Sequence, residues 1–244
     1  MRPFRLSSES AFRPAVSIII PVYREADAIG ATLAALPAAG LARTDEVIVV
    51  DGDCQGRTLS RIDDPRIRKL GSPLGRAVQM NAGAAVARGA VILFLHADTR
   101  LPDGGLDRIG EAVIRGADAG AFTLEIDSGR PAFRLIERAV RLRTRLTRIP
   151  YGDQAVFVRR PVFDAIGGFR EIPLMEDVDM GRRLIRAGRV PVILTDRAAT
   201  SARRWEREGL VRCTLRNWAL ITLYLAGVSP DRLARYYQPD GSGE

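Results

Sequence analysis

At 244 residues, 46% hydrophobic and 27% charged, the chain has material for one sizeable folded core, which argues against a disordered or fibrous polypeptide. Its 37 Lys and Arg against 29 Asp and Glu give a net charge of +8, and Lys69 is the one lysine, so the charge is almost all arginine, whose planar fork suits phosphate and carboxylate oxygens. Cys54 and Cys213 stand far apart with no CxxC or His/Cys cluster, which argues against a disulfide framework or structural zinc and fits a reducing cytoplasm.

The opening stretch MRPFRLSSESAFRP lacks the apolar core of a signal peptide and reads as an extension over 1–15. No run in the chain reaches the roughly 18 apolar residues of a membrane span. The apolar pattern then predicts a strand over 15–22 (AVSIIIPV), a helix over 25–40 ended by Gly40, and a strand over 45–53. A short strand over 66–71, a helix over 75–89 ended by Gly89 and a strand over 90–98 (AVILFLHAD) follow. The continuous apolar run of the last is that of a strand covered on both faces, as in a parallel sheet flanked by helices. In such sheets ligands bind beyond the carboxyl ends of the strands, so the loops carrying Pro21, Asp51 and Asp98 are expected to converge on one cleft.

Farther on, the pattern predicts a strand over 120–126, a helix over 132–149, a short helix over 161–169 opened by proline and closed by paired glycines, a helix over 175–188 and a strand over 189–195. A helical region ends the chain. The expected whole is one α/β domain over 16–200, with halves at about 16–103 and 104–200 and a C-terminal helical region over 201–244.

Several polar residues fall where chemistry is done. Asp51 ends a strand, where its carboxylate can accept a base or ribose hydrogen bond or cap the next helix. Asp98 ends another, and a carboxylate there is a hard ligand suited to Mg²⁺ or Mn²⁺ shared with a pyrophosphate. His96, two residues earlier, is expected to project to the same side, because strand side chains repeat every two residues, as a ligand or as a satisfied structural histidine. Arg76 stands where a loop becomes a helix, as a phosphate contact or a surface arginine. Glu176, Asp177 and Asp179 open a helix, either as partners of its dipole or as a base for an attacking hydroxyl.

Together these segments resemble the family 2 glycosyltransferases of GT-A fold, a Rossmann-like, mostly parallel sheet flanked by helices. VSIIIPVYREADAI is similar to that family's opening strand and loop, VIVVDGDCQGRT to its Asp-Gly-Ser segment, and FLHADT to its Asp-x-Asp strand end. GGF and MEDVDMGRRLIRAG are similar to its acceptor-side elements. More narrowly, GRAVQMNAGAAVARG, PYGDQAVFVRR and SARRWEREG resemble the transferase 2 subgroup associated with radical-SAM and selenodomain proteins, linked to arsenosugar biosynthesis.

The resemblance implies that Pro21, Tyr23, Glu25, Asp51, Arg76, His96, Asp98 and Arg204 hold a UDP- or GDP-sugar, with Mn²⁺ or Mg²⁺ on Asp98. It implies Asp177 as catalytic base and Gly152, Asp153, Gln154, Gly168, Glu176 and Trp205 as contacts to the acceptor side. Transfer would be inverting, to an acceptor hydroxyl. His96 stands where the family has the first acid of Asp-x-Asp, and Cys54, Gln55 and Arg57 depart from its second motif.

Two rivals compete. Nucleotidyl transfer also uses a nucleotide and a divalent metal, although a glycine-rich loop with lysine is missing after the first strand. The other is a basic binding protein: Arg134, Arg138, Arg141, Arg145 and Arg148 repeat at helical spacing beside an apolar stripe, which fits peripheral contact with the inner face of a membrane or an exposed helix packed on the core. With 6% aromatic residues, nucleic-acid binding is not expected. The apolar segment 210–229 suits packing on the domain or a homodimer.

Overall fold

The computed structural model describes residues 14–237, so most of the extension expected over 1–15, and residues 238–244 of the C-terminal region, lie outside the described residues. The first half runs β1 (Val16–Val22), α1 (Ile29–Ala35), β2 (Glu46–Asp51), β3 (Ile67–Gly71), α2 (Arg76–Val86) and β4 (Val91–Phe94), in the expected order. α1 is shorter than its apolar pattern. Pro37 has no N–H to donate to the helix ladder, and the regular helix ends at Ala35, with Leu36 as its C-cap still in helical geometry.

The second half runs β5 (Thr99–Arg100), α3 (Gly105–Ile114), β6 (Ala119–Asp127), α4 (Pro131–Thr147), β7 (Val156–Arg159) and α5 (Arg160–Ala165). It continues through α6 (Glu176–Arg186), β8 (Val192–Ser201), α7 (Arg203–Glu208), α8 (Leu210–Leu225) and α9 (Pro230–Ala234). β5, α3 and β7 go beyond what the apolar pattern predicts, and β8 extends through Ser201 as a ladder to both β6 and β5.

The eight strands of the described residues form one sheet in the order β3-β2-β1-β4-β7-β6-β8-β5. β1 pairs in parallel with β2 and β4, β2 with β3, and β6 with β8, while β7 lies antiparallel between β4 and β6. Helices cover both faces. Ile18 and Ile20 pack toward Ile29, Leu106 and Ile109 of α1 and α3, whereas Ile19 packs toward Ala77, Met80 and Ala84 of α2. This alternation of buried residues is what the run SIIIPV demands, since neighbouring strand side chains point to opposite faces. Burial of each isoleucine stabilises by roughly 2 kcal/mol as an upper estimate.

Gly83 lets α2 lie against β1, because a Cβ there would stand 2.5 Å from Ile19 Cγ2. The approach also brings Gln79 to the strand ends. Its amide donates to the carbonyls of Val22 at 2.7 Å and Val50 at 2.9 Å, fastening β1 and β2 where the cleft begins. On the far wall of that cleft, α8 and α9 pack through Leu220 and Leu233 on Leu174, Met175 and Val178 at the start of α6. Among the described residues no helix is long and apolar enough to cross a membrane.

Candidate active site

A cleft of about 730 Å³ opens beyond the ends of β1 and β4. The first half of the chain contributes Pro21, Tyr23, Glu25, Arg76, His96 and Asp98 to its wall; the second half contributes Gly152, Asp153, Glu176, Asp177, Arg204 and Trp205. Loops and helix starts carry nearly all of them, which leaves the sheet as a rigid base beneath.

His96 and Asp98 reach the cleft by a route other than strand alternation. β4 ends at Phe94, and the Thr99 N–H donates to the His96 carbonyl at 3.1 Å, so residues 96–99 form a turn. Burial, reinforced by the charge of Arg76, pushes the His96 imidazole down to about 3, leaving it neutral at physiological pH. Its Nε2 is buried without a hydrogen-bond partner. Gly152 lies against that nitrogen: a Cβ at Gly152 would stand 2.6 Å from Nε2, so the backbone of the 151–154 turn can close on His96 only because the side chain is absent.

Asp177 is fixed by backbone donors. Its Oδ2 accepts the Gly152 N–H at 2.9 Å and its Oδ1 the Val178 N–H at 2.7 Å, which ties the first turn of α6 to the 151–154 turn. Glu176 pairs with Arg76 at 3.2 Å, joining the two halves of the chain across the cleft. Burial pushes the Glu176 carboxyl up, against the pull of Arg76. Arg204 is held by Glu208 at 3.2 Å and stacks over Tyr237, while Glu25 pairs with Arg203 at 3.0 Å. Asp179 faces Arg183 at 2.7 Å and serves packing within α6.

Asp153 has a buried Oδ1 with no partner. Burial, opposed by Arg143 and aided by Asp177 and Asp98, lifts its carboxyl from the ordinary 3.8 to about 6. The folded protein therefore binds more protons than the unfolded chain across that window, and stability falls as pH rises through it. In cation-free buffer, Asp153→Asn should stabilise the protein at pH 8 by on the order of 2 kcal/mol and leave it nearly unchanged at pH 4. Urea unfolding at both pH values checks this; equal stability of the two proteins at pH 8 would contradict it.

Three expected residues stand away from the cleft wall. Asp51 ends β2 with Oδ1 accepting the Asp53 N–H at 2.9 Å, and its Oδ2 is buried without a partner. Gln154 is turned inward, its amide donating to the Phe122 carbonyl at 3.0 Å and its oxygen accepting from the Tyr151 N–H at 3.1 Å. Gly168, at φ +65, closes the corner after α5, and its carbonyl accepts from Arg183 at 2.7 Å. Tyr151, Asn217 and Tyr237 line the cleft as well. Tyr151 adjoins the Gly-Asp-Gln turn, but no local pattern marks the other two.

Backbone strain gathers around the cleft. Arg24 (φ 55), Ala155 (φ 49) and Met175 (φ 71) adopt left-handed geometry without being glycine, and all three lie in segments that feed cleft residues. Such conformations persist where surrounding structure holds them, commonly at functional sites. The donors present suit a hard divalent ion, since Asp98 and Asp153 offer carboxylates. Among the described residues no three His, Cys, Asp or Glu gather closely enough to hold a metal unaided. That composition fits an ion held by one or two carboxylates that takes its other ligands from phosphate and water.

The model of glycosyl transferase family 2 matches residues 17–172. Undecaprenyl-phosphate 4-deoxy-4-formamido-L-arabinose transferase of Pseudomonas fluorescens is 30% identical over 171 residues, 64% of this chain and 50% of that protein. Its namesake from Aeromonas hydrophila is 28% identical over 165 residues, 62% of this chain and 51% of that one. The chain thus spans about half the length of the curated relatives it matches. Among solved structures, the Pyrobaculum calidifontis mannosyltransferase PcManGT in complex with GDP-Man and Mn²⁺ superimposes with a TM-score of 0.63 at 20% identity, covering 94% of this chain and 70% of that one. S. aureus TarS 1-349 superimposes with a TM-score of 0.59 at 16% identity, covering 90% and 68%. These likenesses establish the GT-A fold.

Proposed function

The chain belongs to glycosyl transferase family 2, and on that premise we propose that it moves a sugar from a UDP- or GDP-sugar to an acceptor hydroxyl with inversion at the anomeric carbon. The observation that carries this reading is the meeting of Asp98 and Asp177 in one cleft with Arg76, His96 and Arg204. Asp177 is the base. As the acceptor oxygen bonds to the anomeric carbon and the bond to diphosphate breaks, Asp177 takes the hydroxyl proton, its carboxylate aimed by the N–H groups of Gly152 and Val178.

Pro21, Tyr23 and Glu25 flank the nucleotide, and Arg76 and Arg204 face the departing diphosphate. Asp98 would hold Mn²⁺ or Mg²⁺, which would supply charge neutralisation for that leaving group. Trp205 and Glu176 orient the acceptor. One displacement needs no covalent intermediate, so alignment and stabilisation of the leaving charge carry most of the acceleration. The GDP-Man and Mn²⁺ bound to PcManGT support both donor class and ion, and the motifs GRAVQMNAGAAVARG and SARRWEREG support placement in the transferase 2 subgroup.

A panel of nucleotides in thermal unfolding tests the donor. UDP or GDP with Mn²⁺ at saturating concentration should raise Tm by roughly 5–10 °C. Stabilisation by nucleoside triphosphates alone would point to nucleotidyl transfer and defeat the proposal.

A further inference from the structure

A second cavity, of about 580 Å³, lies beside the cleft between α4 and α8. Its wall is apolar, with Ile136, Val140 and Leu146 from α4 facing Trp218, Leu220 and Ile221 from α8. The two spaces are continuous. Arg76, Tyr151, Asp153, Glu176, Asp177 and Trp205 line both, so the apolar space ends at the proposed base. A sugar or other fully hydrated acceptor has no use for such a wall, because burying its hydroxyls against hydrocarbon leaves them unpaired.

The outer end of the cavity is also apolar. Leu142, Leu146 and Trp218 sit there 60%, 75% and 52% exposed, far more open than core residues of their kind. Val211, Leu215, Trp218 and Leu225 continue the exposed apolar stripe along α8 at helical spacing. Arg138, Arg145 and Arg148 flank it from α4 and stand exposed. Large hydrophobics rimmed by arginine suit the boundary of an anionic bilayer. At the inner end, the Asn217 Oδ1 is buried without a hydrogen-bond partner, and Asn217 lines both spaces.

We propose that the acceptor is a membrane amphiphile whose apolar chain lies in the cavity between α4 and α8 and whose hydroxyl end reaches Asp177, with the arginine-flanked rim docking on an anionic bilayer. This rests on the reading of the cleft as a sugar-transfer site. The cavity is of the size that holds a small ligand, so a longer chain continues past Leu146 and Trp218 toward the lipid. Nucleotide enters from the aqueous side and the amphiphile from the bilayer, and the two meet at Asp177.

The test uses the full chain, a pyrene-labelled dodecanol as probe, and vesicles of phosphatidylcholine with or without phosphatidylglycerol. Saturable probe binding is expected, weakened at least about tenfold by A139W, which fills the cavity from α4. L146Q, at a rim position open to solvent, guards against misfolding of that variant and should weaken the probe several-fold. R138Q/R145Q should cut binding to phosphatidylglycerol vesicles by about 25-fold, at about fivefold per residue, and spare probe binding in solution. All variants should keep the Mn²⁺-dependent nucleotide shift.

Wild-type probe affinity in A139W and L146Q, or equal binding to both vesicle types, overturns the proposal. So does a concentration-dependent dimer that covers Trp218 and excludes the probe, which would assign the face to a second copy. Loss of the nucleotide shift in the parent protein with probe binding intact would instead defeat the donor reading and leave the lipid site standing.

Discussion

Asp177→Asn should lower the turnover of sugar transfer by about a thousandfold while changing the affinity for donor nucleotide less than about twofold. The substitution keeps shape and removes basicity. An amide oxygen still accepts one of the two N–H groups that hold the carboxylate, from Gly152 or Val178, but the amide nitrogen cannot accept the other. That loss costs about 1 kcal/mol of stability, too little to unfold a domain with this core. Loss of kcat with intact folding and nucleotide shift is therefore a statement about proton transfer. Turnover close to that of the parent enzyme would remove Asp177 from the role of base, and Glu176, buried and tied to Arg76 at 3.2 Å, would become the next carboxylate to try.

How far the fold was legible follows from where each segment sits. β1 and β2 are buried on both faces and carry the apolar runs IIIPV and VIVV. β7 offers four residues and β5 two, too few for any period to emerge, and both are placed by partners distant in sequence. α3 carries Leu106, Ile109 and Val113 at helical spacing, but Gly105 and Gly110, each costing about 1 kcal/mol of helix propensity, obscure it. β8 ends in TDRAATS, whose polar residues hide a strand that is only partly buried.

The site divides in the same way. The presence of Asp98 and Asp177 on the cleft wall was legible, because one follows an apolar strand run and the other opens a helix. Gln154 stands in an equally suggestive Gly-Asp-Gln run, yet the fold spends its amide on the Phe122 carbonyl and the Tyr151 N–H. The apolar cavity was invisible for another reason. α4 and α8 come from distant parts of the chain, and each alone reads as an ordinary amphipathic helix whose open face has no stated neighbour. Only their juxtaposition over Asp177 gives those faces a use.

At pH 5, where Asp153 is largely protonated, Asp98→Ala should abolish the Mn²⁺-dependent part of nucleotide binding, raising Kd at saturating Mn²⁺ by about a hundredfold and bringing it to the value measured with chelator. The size of the effect follows from the scarcity of ligands. No three acidic or imidazole side chains gather among the described residues, so removal of the Asp98 carboxylate leaves Asp153 as the one remaining carboxylate offered to the ion. His96 cannot replace it, since a neutral imidazole carries no charge and its Nε2 is enclosed by Gly152. Asp153, lifted to about 6 and close enough to Asp98 to be raised by its charge, should ionise more readily in the variant and lose that elevation in part. The residual binding of D98A should therefore grow as pH rises from 5 to 8 if Asp153 takes up the ion, a dependence that titration calorimetry with Mn²⁺ and GDP or UDP reads directly. Unchanged Mn²⁺ titration in the variant at every pH would mean that the ion binds elsewhere, and the division of labour between Asp98 and Asp177 would have to be redrawn.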